Sequence, residues 1–310
     1  MSRINGPLAA FLAFACCVAG ADELRNGYHK QVRVTAPTQI DSIYPVANQS
    51  PAKAPDEWLD GWLADYDSTD QRYELFVPEQ YDAGKSWPVV VFISPGDNPS
   101  GYASFREACT TRGVIFASPY SAGNNCPSPR RVRITLDVLD DVRRRFNTDV
   151  ERTYLGGFSG GGRMACNIAF ALPEYFGGVI PVCAAGELRE ESWLRRRCVD
   201  RLSVAFVTGE HDFNRGEVER FRGPMLHDVG VRTRSWVKAG MAHGLPDGST
   251  MAEVLQWLDE SAPDRRKLAK ATSTTSAPGR DRLGRAEQAR HLLADAEKLI
   301  ADEARTYDAL

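Results

Sequence analysis

The chain has 310 residues, 43% hydrophobic and 25% charged, with a formal charge of −3. These are globular values that exclude disordered, collagen-like and polytopic membrane classes. With 41 acidic side chains against 38 Lys and Arg there is nothing to attract a polyanion, so nucleic acid is not an expected partner.

Arg3 is followed by an apolar run from Pro7 to Ala19 and then by Ala19-Gly20-Ala21. This is the pattern of a secretory signal peptide over residues 1–21, cut after Ala21. The run falls short of the ~20 apolar residues of a spanning helix, so no membrane span is expected and the location is secreted or periplasmic. Cys16 after Leu12-Ala13-Phe14-Ala15 offers a lipoprotein alternative, which Phe14 fits badly.

Residues 22–65 are rich in Pro, Asn and Ser and close on Trp58, Trp62 and Tyr66, which reads as an irregular N-terminal arm. From Gln71 onward apolar runs recur at Arg72–Val77, Val89–Ile93, Val114–Ala117, Thr153–Leu155, Gly178–Val182, Val204–Val207 and Arg232–Val237. Helical stretches lie between them at Val132–Phe146, Gly160–Ala171 and Val218–Val229, with a last one at Met251–Leu258. Continuous apolar strands alternating with amphipathic helices predict an α/β fold: a mostly parallel sheet with helices on both faces. Its chemistry belongs at the carboxyl ends of the strands.

The charged and Thr/Ser-rich stretch 263–282 reads as an exposed linker. Residues 283–310 regain helical spacing at Ala286, Ala289, Leu293, Ala296 and Ile300, an amphipathic helix with a weak apolar face. It either docks, on the domain or through self-association on a second chain, or stands as a marginal solvated helix.

Five cysteines remain after the leader, so at least one stays free or pairs between chains. Cys109 with Cys126 and Cys183 with Cys198 would each close a short loop, though sequence leaves the connectivity open. Cys166 sits in an apolar helical stretch as a small buried hydrophobe. No C-x-x-C spacing occurs and no His lies beside a Cys in sequence, so neither a metal nor a cofactor is expected.

The strongest motif is Gly157-Phe158-Ser159-Gly160-Gly161, entered from the strand at Thr153-Tyr154-Leu155 and followed directly by a helix. Strand, sharp turn, serine and helix are the context of a nucleophile elbow. Gly157 to Gly162 also has Walker spacing but continues Arg163-Met164, without the Lys and Ser or Thr that hold phosphate and magnesium. Gly160-x-Gly162-x-x-Ala165 resembles a dinucleotide turn but lacks the acid that would bind a ribose. Downstream, the strand at Val204 runs into Thr208-Gly209-Glu210-His211-Asp212, and the strand ending at Val237 runs into His243-Gly244-Leu245-Pro246. A carboxylate and an imidazole beyond successive strand ends, both after the serine, give the order Ser159, Asp212, His243. Glu210 and Asp247 are weaker rivals for the acid; His211 and His227 read as loop and surface residues. Trp58, Trp62, Trp87 and Trp193 read as packing, with a substrate wall as the alternative.

These motifs resemble the secreted α/β-hydrolases of the esterase and polyhydroxybutyrate-depolymerase-like group, which includes feruloyl and acetyl-xylan esterases. The resemblance spans Gln71 to Ser261 and sets a hydrolase domain at 66–262. It implies a serine hydrolase that cleaves a small-molecule or polymeric carboxylic ester through an acyl-enzyme. Ser159 would be the nucleophile, His243 the general acid and base and Asp212 its orienter, roles that agree with what a serine hydroxyl needs for activation. The oxyanion donors would be the backbone N–H groups of Gly160 and Asp97. Where that group has His-Gly, Phe92-Ile93-Ser94 here leads into Pro95-Gly96-Asp97-Asn98, so the Asp97 carboxylate is expected to point away from the pocket. A peptidase of the prolyl-oligopeptidase type shares the elbow and residue order but carries a large gating domain, for which ~200 residues leave no room. A catalytically silent hydrolase fold used for binding is the alternative from another class.

Overall fold

The computed structural model describes Leu24, residues 26–40, Leu63 and residues 65–275. The leader, Trp58, Trp62, residues 276–282 of the expected linker and the helix expected over 283–310 lie outside the described residues.

Eight strands form one sheet: β1 (Gly27–Arg33), β2 (Arg72–Val77), β3 (Trp87–Ile93), β4 (Ile115–Pro119), β5 (Thr148–Phe158), β6 (Gly178–Val182), β7 (Ser203–Gly209) and β8 (Arg232–Lys238). Their spatial order is β1-β2-β4-β3-β5-β6-β7-β8. The β1–β2 and β2–β4 pairs are antiparallel and the remaining pairs parallel, which is the α/β-hydrolase fold.

The helices are α1 (Tyr102–Arg112), α2 (Ser128–Arg145), α3 (Gly160–Ala171), α4 (Ser192–Arg201), α5 (Arg215–Pro224), α6 (Gly248–Glu260) and α7 (Ala262–Thr275). Alternate residues of the central strands serve two cores. Val89, Val91 and Ile93 of β3 pack with Leu155, Phe206 and residues of α2 and α3, whereas Val90 and Phe92 pack with Phe105 of α1, Phe116 and Leu255 of α6. Burial on both faces is why these strands read as unbroken apolar runs.

Two sequence expectations need correction. The first concerns residues 22–65, because Gly27–Arg33 of the expected irregular arm is an edge strand of the sheet. Its pairing shifts register between His29 and Val32, where Gln31 is left-handed (φ 57°), so the alternation that signals a strand is broken. The second concerns 263–282, of which residues 263–275 are helical. Arg265, part of the charged run that suggested a linker, is only 5% exposed, pairs with Glu151 of β5 and donates to the Glu151 carbonyl.

The segment after β1 is strapped to α2 by buried carboxylates. Asp137 accepts from the Thr38 N–H (2.7 Å) and the Tyr66 hydroxyl (2.8 Å). Asp141 accepts from the Thr35 N–H (2.8 Å), the Tyr73 hydroxyl (2.7 Å) and Arg145 Nε (2.8 Å). Burial pushes the Asp141 carboxyl up, but the hydrogen bonds from Thr35, Arg145 and Tyr73 outweigh it and hold it below the usual carboxylate range. A carboxyl lowered by folding stabilises above its unfolded value of about 3.9 and loses that contribution as pH falls through the folded value. Asp141→Ala, which takes the carboxylate from Arg145 and from three further donors, the Thr35 N–H and hydroxyl and the Tyr73 hydroxyl, is expected to cost about 3–5 kcal/mol at pH 7. Urea unfolding at pH 7 and pH 3 checks this: the gap between wild type and variant should narrow at the lower pH.

Candidate active site

Ser159 stands between β5 and α3 with φ 52° and ψ −121°, a left-handed conformation rare for a residue with a side chain. The turn is held by its N–H to the Val182 carbonyl (2.8 Å) and by its own carbonyl, which accepts from Gly162 (2.9 Å) and Arg163 (3.1 Å). Glycine is required on both sides. A Cβ at Gly157 would lie 2.3 Å from the Gly161 carbonyl oxygen, and one at Gly161 would lie 2.1 Å from that of Ile93. Gly160 opens α3, so its N–H has no carbonyl a turn earlier to meet and points, with the helix's positive end, at the space beside Ser159.

Asp212 lies three residues beyond β7 and His243 five beyond β8, in two loops bound to each other by His211 N–H to the Met241 carbonyl (2.9 Å). His243 Nδ1 is 2.8 Å from Asp212 Oδ1. That oxygen also accepts from the Asn214 N–H (3.0 Å), and Oδ2 accepts from the Thr208 hydroxyl (2.7 Å). Burial pushes the Asp212 carboxyl up, yet these hydrogen bonds from Thr208, Asn214 and His243 prevail and lower it. An ionised Asp212 keeps the proton on Nδ1 and leaves Nε2 free to accept.

The imidazole is sandwiched between aromatic rings. Phe158, next to the serine, has its ring centroid 4.9 Å away, and Phe213, 77% exposed, stacks at 4.1 Å. The elbow and the Asp212–His243 pair therefore meet at the carboxyl ends of β5, β7 and β8. Among the described residues no hydrogen bond joins Ser159 Oγ to His243; such bonds commonly tighten only when substrate is bound.

The rival acids are engaged elsewhere. Asp247 caps α6, accepting from Thr250 N–H (2.8 Å) and the Ser249 hydroxyl (2.7 Å), while Glu210 accepts from Gly240 N–H (2.9 Å). The His211 side chain is two-thirds exposed, and Asp212 is the acid on His243. Trp87 begins β3, at the opposite end of the strand from the elbow, so it builds no substrate wall, and Trp193 is half-exposed on α4. A cavity of 830 Å³ lies along β1, lined by Tyr28, Lys30 and Arg72, on the sheet edge and apart from this site.

The expected oxyanion loop is braced by the loop after β4. Ser121 N–H donates to the Asp97 carbonyl (2.7 Å) and Asn124 N–H to that of Pro95 (2.8 Å). Buried Arg131 donates to the Ala122 carbonyl (2.8 Å) beneath them. The Asp97 carboxylate lies over Gly123 and lines a 350 Å³ hollow with Cys126 and Arg130; neither Ser159 nor His243 lines it.

Two neighbours of the site carry no sequence motif. Asn124 lays its side-chain amide over Gly160, where a Cβ would meet its Oδ1 at 2.0 Å. Cys183, left-handed at the end of β6 (φ 51°), holds its thiol 3.3 Å from the Gly244 carbonyl. All five described cysteines are free thiols, so neither loop-closing disulfide forms among them, and Cys166 is fully buried.

No family model and no curated protein sequence matches the chain. Among solved structures the chain is similar to a thermostable esterase at 22% identity, covering 61% of this chain and 59% of that one, with a TM-score of 0.45. Another is the S-formylglutathione hydrolase of Staphylococcus aureus, at 12% identity over 62% and 90% of the two chains and a TM-score of 0.48. A third is the feruloyl esterase module of Clostridium thermocellum, at 13% identity over 62% and 82% and a TM-score of 0.47. Similarity at this level says nothing of the reaction.

Proposed function

We propose that the protein is an exported serine hydrolase that cleaves a carboxylic ester through an acyl-enzyme. The observation that carries this reading is the 2.8 Å Asp212–His243 pair set beside a serine held left-handed on a strand-to-helix elbow. Ser159 Oγ attacks the acyl carbon while His243 Nε2 takes its proton, and Asp212 stabilises the imidazolium that forms. The tetrahedral oxyanion is met by the Gly160 N–H, with the Asp97 N–H as second donor. His243 then returns the proton to the leaving alkoxide, and water repeats the sequence to free the acid. Export rests on the leader over residues 1–21.

Stopped-flow hydrolysis of p-nitrophenyl acetate at neutral pH tests the pathway. A burst of p-nitrophenol approaching one equivalent per chain is expected, because an acyl-enzyme accumulates when deacylation is the slower step. Folded protein with no ester turnover would instead favour a silent, ligand-binding hydrolase fold. Asp97→Asn should leave kcat/KM within a few-fold of wild type, since only its backbone faces the oxyanion; a large rise would place the carboxylate at the reacting centre.

A further inference from the structure

We propose that Cys183, Asp212 and His243 form a site for a thiophilic divalent cation, Zn2+ above all, and that occupancy of this site switches hydrolysis off. The ion-binding half stands by itself, and the switching half rests on the hydrolase reading above. The thiol of Cys183, a carboxylate oxygen of Asp212 and a ring nitrogen of His243 all lie within 4.8 Å of one another. They come from the ends of three neighbouring strands, β6, β7 and β8, and so converge although up to 60 residues separate them in sequence.

One sulfur, one nitrogen and one oxygen make a donor set suited to zinc, which takes thiolate at about 2.3 Å and imidazole or carboxylate at about 2.0–2.2 Å. Tetrahedral coordination at those lengths sets ligand atoms about 3.3–3.6 Å apart, so the 2.8 Å Asp212–His243 contact must open slightly and any pair near the 4.8 Å limit close by about 1 Å to admit the ion. Supporting contacts are in place: Thr208 and the Asn214 N–H hold the carboxylate, and Asn214 Nδ2 donates to the Cys183 carbonyl (3.0 Å). Cys183 and the Asp212 side chain are buried, and His243, one-fifth exposed, is the edge that meets solvent.

The charge and proton balance explains the switch. Zn2+ replaces the thiol proton, which leaves to solvent, so thiolate and carboxylate together neutralise the ion. It also takes the Nδ1 lone pair, and the imidazole proton moves from Nδ1 to Nε2. Nε2 then carries a proton and no longer accepts one from Ser159.

Cobalt and zinc titrations of the full chain separate the two halves. Co2+ should give a near-ultraviolet thiolate-to-cobalt band that disappears in Cys183→Ser and needs about tenfold more Co2+ in His243→Asn. This readout requires no activity. Zn2+ should inhibit p-nitrophenyl acetate hydrolysis reversibly, with relief by EDTA. Each protein being scored against its own metal-free rate, half-inhibition should need about tenfold more Zn2+ in Cys183→Ser. No cobalt band in the wild type would overturn the site. A band with undiminished hydrolysis at saturating Zn2+ would overturn the switch, and equal zinc inhibition with and without Cys183 would place the inhibitory ion elsewhere. If no ester is hydrolysed at all, the hydrolase reading fails while the cobalt band still decides the site.

Discussion

Ser159→Ala is expected to lower kcat on p-nitrophenyl acetate by about 10⁴- to 10⁶-fold, leaving only what the oxyanion donors and substrate binding supply. The size of the loss follows from the role: without the hydroxyl there is no acyl-enzyme, and His243 has no proton to take from the enzyme. The fold should be unaffected, because the strained φ of 52° is set by the bonds from Ser159 N–H to Val182 and from Gly162 and Arg163 to the Ser159 carbonyl, all of them backbone. Unchanged unfolding in urea beside lost turnover is the expected pairing. A loss of only a few-fold would mean that turnover runs through another group.

At Asp212 two substitutions should differ from each other. Asp212→Ala removes the acceptor that fixes the His243 tautomer together with the charge that stabilises imidazolium, and is expected to cost about 10⁴ in kcat. Asp212→Asn should cost less, about 10²–10³, for a reason particular to this site. The carboxylate oxygen on His243 Nδ1 is also the one that accepts from the Asn214 N–H, and a backbone N–H only donates. The amide must therefore set its carbonyl there and its NH2 toward the Thr208 hydroxyl, which rotates to accept. The tautomer survives and only the charge is lost. Rates for the two variants check this; equal losses would show that the amide turns the other way.

Much of the fold was legible because its strands are covered on both faces. The run Gly178–Val182 coincides with β6, and Arg72–Val77 with β2. The elements that escaped have physical causes. The bulge at Gln31 interrupts the period of β1, and α1 fully buries only Phe105, Ala108 and Cys109 of its hydrophobic residues, a short stripe beside Thr110 and Thr111. In α7 a buried Arg265 wears the composition of a linker, which its partner Glu151 on β5 reverses. Ser159, Asp212 and His243 could be picked out because each follows a readable strand end. Cys183 and Asn124 could not: the first looks like any buried cysteine until β6, β7 and β8 lie side by side, and the second reaches Gly160 from a loop braced by Pro95.

The central claim, a serine at the elbow activated by the His243–Asp212 pair, is tested most directly by a fluorophosphonate. Such a probe needs an activated nucleophile but no knowledge of the natural ester. Peptide mapping should place one adduct per chain on Ser159, absent from Ser159→Ala and formed far more slowly in Asp212→Ala. Folded protein that takes no label, or carries it on another residue, would contradict the claim.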